Sequence, residues 1–110
     1  MSGESATPRY WVRLSVPRIG GLRAWGLAEG DFERRLAMQA SVMVSGPHIA
    51  GETRRGRSFL RVTIAMTVTA ADAGQALVIA WRVFRKAAGD DLGGGWDTAS
   101  ASAEVKRSPT

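Results

Sequence analysis

The densest run of charge in the chain is Arg54-Arg55-Gly56-Arg57-Ser58-Phe59-Leu60-Arg61, which sets four arginines within eight residues. Guanidinium groups neutralise phosphates, and an aromatic ring beside them offers a surface on which a base can stack. Trp11 and Arg13, two residues apart, repeat the pairing of an aromatic with a cation near the start of the chain. Residue types of this kind bind polyanions. They do not by themselves make or break bonds.

Bond-making chemistry has much less to work with. His48 is the only histidine and there is no cysteine. It follows Gly46-Pro47, a loop signal. A metal site ordinarily takes three or four ligands, and no such cluster stands in the sequence. Walker A, G-x-G-x-x-G and G-x-S-x-G patterns are absent. Gly93-Gly94-Gly95 lacks the lysine and the following helix that a phosphate loop requires. Asp90-Asp91 and the Asp31/Glu33 pair read as capping or surface acids. The expectation is a domain with no catalytic residues, no cofactor and no metal.

The arginine run must be positioned by strands. From Ser58 to Thr69 the residues alternate, with Leu60, Val62, Ile64, Met66 and Val68 on one side and Phe59, Arg61, Thr63, Ala65, Thr67 and Thr69 on the other. Tyr10 to Val16 alternates likewise, with Val12, Leu14 and Val16 inward and Trp11, Arg13 and Ser15 outward. A last strand fits Thr98 to Lys106, with Ala99, Ala101, Ala103 and Val105 inward. Between these, the spacing of Leu77, Ala80, Trp81, Phe84 and Ala88 predicts a helix over about 71–88, a Thr69/Asp72 capping box and a stop at Gly89. Residues 31–45 fit a helix, with Asp31 as N-cap, Phe32, Leu36 and Met43 on one face and Gly46-Pro47 as the stop. Leu36 to Ser45 also alternates, with Leu36, Met38, Ala40, Val42 and Val44 apolar, and the second strand is the preferred reading there. That leaves residues 18–35, with Gly20, Gly21, Gly26 and Gly30, as an irregular first crossover.

The order is that of a ferredoxin-like α+β fold, βαββαβ, with a four-stranded antiparallel sheet and one well-formed helix on one face. A βββαβ order is the alternative if the first crossover carries no helix. In this topology the first and third strands are central neighbours, so Trp11, Arg13, Phe59 and Arg61 are expected to form one patch on the open face. Arg55-Gly56-Arg57-Ser58-Phe59-Leu60-Arg61-Val62 also partly resembles the RNP1 stretch of the RNA recognition motif, which lies on the third strand. The Arg, the Gly and the Phe match in place; Arg57 and Val62 stand where that motif has aromatics. The resemblance covers eight residues and implies base stacking on the sheet.

Composition bounds the rest. A chain of 110 residues with 45% apolar content supports one core, expected over 9–107 with tails at 1–8 and 108–110. The absence of cysteine favours a reducing cytoplasm. Met1 to Pro8 carries no apolar stretch of a signal peptide. The longest apolar run, Ala76 to Trp81, is far short of the roughly 20 residues of a membrane span. The formal charge is +5, which attracts polyanions. Thirteen of the fifteen basic residues are arginine and asparagine is absent, a bias that GC-rich, bacterial coding also produces.

The sequence therefore predicts nucleic-acid binding, to RNA or single-stranded DNA, through the loop between the second and third strands and the open sheet face. Arg54, Arg55, Arg57, Arg61 and Arg13 would contact phosphates, and Trp11 and Phe59 would stack. An acidic protein, or a second copy that covers Trp11, Phe59 and Met43, is the alternative occupant. A small-molecule pocket lined by Trp25, Trp81 and Trp96 is the third expectation.

Overall fold

A computed structural model describes residues 7–56, 59–89 and 95–108. Its elements are β1 (Arg9–Pro17), α1 (Gly21–Met38), β2 (Val44–Arg55), β3 (Phe59–Thr69), α2 (Ala73–Ala88), a 3₁₀ turn (Thr98–Ser100) and β4 (Ser102–Arg107). The sheet order is β2-β3-β1-β4 with every neighbouring pair antiparallel. This is the βαββαβ, ferredoxin-like arrangement, α+β in class. Both helices lie on one face and the other face is open.

The core follows the alternation of the two central strands. Val12, Leu14 and Val16 of β1, with Leu60, Val62, Ile64, Met66 and Val68 of β3, are at most 2% exposed. Onto them pack Trp25, Phe32 and Leu36 of α1 and Ala76, Ala80, Val83, Phe84 and Ala87 of α2. Trp25, Phe32, Phe84 and Trp96 form a mutual cluster with ring centroids 5.0–5.9 Å apart, mostly edge to face. The four alanines at 76, 80, 87 and 88, each at most 1% exposed, let α2 lie close to the sheet. The buried stripe of α2 is thus rotated about one position from the one its spacing predicts. Leu77 and Trp81 are half-buried and Val78 faces out.

The first crossover corrects the sequence expectation. It is an 18-residue helix, and the second strand begins at Val44, eight residues later than the alternation from Leu36 implied. Of the five apolar positions assigned inward, only Leu36 and Val44 are buried; Met38 is 78% and Val42 100% exposed. Trp25, Ala28, Phe32 and Leu36 are the helical stripe that period-2 counting passed over. Gly26 and Gly30 have open space around their Cα atoms on the outer face, where glycine weakens a helix without breaking its packing. Gly20, at φ 91°, turns the chain from β1 into α1.

β2 carries Gly46, Pro47 and Gly51, poor residues for a central strand. As an edge strand it tolerates them, with register shifts between Ser45 and His48 and between Ile49 and Gly51. In β4 only Val105 is half-buried and Ala103 is exposed, while Thr98 to Ser100 form the 3₁₀ turn. The last strand is therefore shorter and more peripheral than its alternation predicted.

Asp72, not Thr69, is the N-cap of α2. Its carboxylate accepts from the Gln75 amide, and the Gln75 side chain accepts from the Ala71 amide. Gly89, at φ 57°, closes the helix as expected. Arg35 of α1 donates to the Ala87 and Ala88 carbonyls, which joins the two helices at that end. Among the described residues no helix is long and apolar enough to cross a membrane.

Candidate functional site

Strand register decides which side chains share the open face. Arg9, Trp11, Arg13 and Ser15 of β1 lie opposite Thr69, Thr67, Ala65 and Thr63 of β3. On the far side of β1, Trp11, Arg13 and Ser15 face Lys106, Glu104 and Ser102 of β4. Across β3, Thr53 pairs with Arg61 and Arg55 with Phe59. The centre of the face is small and polar, with a Ser15–Thr63 hydroxyl hydrogen bond of 3.1 Å.

Charge is segregated onto this face. Arg9, Arg13, Arg55, Arg61 and Lys106 lie on it, and Glu104 is its one carboxylate among the described residues, 3.3 Å from Lys106. The Arg13 guanidinium carbon is 4.8 Å from the centroid of the Trp11 ring and Lys106 Nζ is 5.8 Å from it. Trp11, half-buried, is thus an aromatic plate held between two cations. Arg55 sits 5.9 Å from the Phe59 ring at the hairpin end.

The structure does not gather Trp11, Arg13, Phe59 and Arg61 into one patch. Trp11 is opposite Thr67, and Phe59 lies eight residues from Thr67 along β3. At about 3.4 Å per residue that is roughly 27 Å. Antiparallel pairing carries the start of β3 to the end of β1, so the two aromatics occupy opposite ends of the sheet. The stretch resembling RNP1 begins at Arg55, the last residue of β2, and ends within β3, with Gly56 at φ 63°, rather than running along the middle of β3.

Two of the arginines are engaged within the fold. Arg54 pairs with Leu60 in register and so falls on the helix side, where Arg54 Nη2 is 2.8 Å from Glu52 Oε1. Arg61 lies on the open face, but Nη1 donates to the Ser15 carbonyl at 3.2 Å and to Ser102 Oγ at 3.5 Å. Its Nη2 donates to the Ser100 carbonyl at 3.3 Å. Arg61 thereby ties β4 across β1 to β3. Arg57 lies outside the described residues, as do Asp90, Asp91, Gly93 and Gly94.

A polar cluster on the helix side was not anticipated. Trp25 Nε1 donates to Glu52 at 2.9 Å, and Glu29, from the next turn of α1, lies close enough to the same carboxylate for the two charges to interact. The Trp25 and Arg54 hydrogen bonds hold the Glu52 carboxyl below its usual value. Desolvation, then the negative charge of Glu52, push that of Glu29 up. The two acids are 23 residues apart in sequence and meet only because α1 packs beside β2. Arg18 is nearly buried, its guanidinium 4.7 Å from the Trp96 ring and 5.2 Å from that of Trp25.

The tryptophan pocket is corrected. Trp25 and Trp96, 1% and 3% exposed, fill the space between helix and sheet themselves. Met43 is not on the open face either; it lines a groove on the helix side. His48 is exposed, with Nδ1 2.7 Å from the carbonyl of Gly46 in its own turn. No protein-family model matches the chain, and neither a curated protein nor a solved structure matches it.

Proposed function

We propose that this chain is a non-catalytic cytoplasmic domain that binds single-stranded nucleic acid, RNA or DNA, along the open face of its sheet. The supporting observation is the segregation of five cations against one carboxylate on this face among the described residues, two of them, Arg13 and Lys106, beside the half-buried Trp11 ring. Phosphates would meet Arg9, Arg13, Arg55 and Lys106, and one base would stack on the Trp11–Arg13 plate. Phe59, at the far end, would take a base several nucleotides away rather than an adjacent one. Arg61 shapes the face more than it contacts the strand.

An acidic protein would satisfy the same cations. A second copy of the chain fits less well, because face-to-face contact would press five cations against five. The test is anisotropy of a labelled, mixed-sequence single strand of about 15 nucleotides. Four phosphate contacts give a slope of log K against log salt of about −3. Trp11→Ala should weaken binding by about 1–3 kcal/mol. Absence of binding at about 50 mM salt overturns the proposal.

A further inference from the structure

On the helix layer, away from the open sheet face, α2 from Gln75 to Lys86 and the segment from the end of α1 to the start of β2 line an open groove of about 580 Å³. Met38, Met43, Val78 and Ile79 give it an apolar floor, and Arg82 and Lys86 stand along one wall. Met38 and Val78 are 78% and 53% exposed, so among the described residues no element covers this apolar surface. Among the described residues no carboxylate lines the groove. Arg82 and Lys86 make no ion pair among the described residues.

Small-molecule sites enclose most of their ligand, whereas this groove is only about half enclosed. Unbranched methionines adapt to varied partner surfaces. Arg82 and Lys86 are four residues apart on α2, one helical turn. Carboxylates one turn apart on a second helix would match that spacing. We propose that the groove receives an amphipathic helix of a partner protein, with an apolar stripe on the methionine floor and a pair of acidic residues facing Arg82 and Lys86. This site is separate from the sheet face and does not depend on nucleic-acid binding.

The probe is a designed helical peptide of about 18 residues, with leucines at i, i+3, i+4 and i+7 spacing and two flanking glutamates one turn apart. Its counterpart carries lysines in place of those glutamates. The acidic peptide should bind the intact chain, with amide shift changes centred on Met38, Met43 and Val78. Arg82→Glu combined with Lys86→Glu should weaken it by about tenfold or more, and the lysine peptide should regain affinity for that variant. Val78→Ser, at an exposed position, should also weaken binding and serves if the double variant fails to fold. Arg13→Glu, on the opposite face, should leave peptide binding intact. Equal binding of both peptides, undiminished binding to the charge-reversed chain, loss of binding in Arg13→Glu, or shift changes confined to the sheet face would each overturn the proposal.

Discussion

Arg61 is the residue on which the sequence and the structure disagree most usefully. By its type and place it is a phosphate contact. By its geometry it is a clamp, with three hydrogen bonds of 3.2, 3.5 and 3.3 Å to the Ser15 carbonyl, Ser102 Oγ and the Ser100 carbonyl. Hydrogen bonds from charged donors reach about 1.5–3 kcal/mol each, but long, partly exposed ones fall well below that range. Roughly 0.5 kcal/mol for each of the three bonds puts the loss in Arg61→Ala at about 1–2 kcal/mol. For a domain of this size the melting temperature should fall by roughly 5–10 °C. Arg13→Ala, which removes an exposed side chain resting on the Trp11 ring, should change stability by less than about 0.5 kcal/mol. Urea unfolding of both variants, followed by oligonucleotide titration across a salt series, separates the roles. Arg61→Ala should leave the salt slope unchanged, whereas Arg13→Ala should reduce it by about 0.7. If Arg61→Ala keeps its stability and loses that increment of slope instead, the clamp assignment is refuted.

Other outcomes are expected from the helix layer. Glu29 holds its proton more tightly in the folded chain than in the unfolded one. Its contribution to stability is therefore fully present below the unfolded-state value and is lost as pH rises through its raised folded value. Glu52 has the opposite sign, contributing above the unfolded-state value and losing that contribution as pH falls through its depressed one. Glu29→Gln removes the titrating carboxyl beside Glu52, so melting temperatures measured from about pH 4 to about pH 8 should decline less steeply with rising pH than in the parent; parallel curves would refute the coupling. Gly89→Ala places a methyl 3.0 Å from Arg35 Nη1 at a backbone φ of 57°, and its urea midpoint should reflect a loss of about 1–3 kcal/mol. Phe32→Ala opens the ring cluster between the helices and should cost about 3–5 kcal/mol. A loss below about 2 kcal/mol would mean that α1 does not pack through Phe32.

Much of the framework is written in local patterns. Period-2 alternation in β1 and β3 and 3.6-residue spacing in α2 mark elements whose buried faces are continuous and apolar, so each is readable without knowing its neighbours. Leu36 to Ser45 obeys both periods, and composition cannot choose between them. The choice falls to packing, because only the helical stripe Trp25, Phe32, Leu36 meets Phe84 and Trp96. β2 escapes notice because an edge strand need not look like a strand.

The sequence by itself determined the fold class, the inward faces of the two central strands and the accumulation of arginine around the second hairpin. The tertiary structure decided what those arginines do. Alternation in β2 turned Arg54 to the helix side against Glu52, and the 3₁₀ turn and the start of β4 brought Ser100 and Ser102 to Arg61. The antiparallel register of β1 on β3 set Trp11 and Phe59 at opposite ends of the sheet. Side-chain type is local, but register and pairing depend on residues dozens of positions away, and those distances determine whether a cation is left facing solvent.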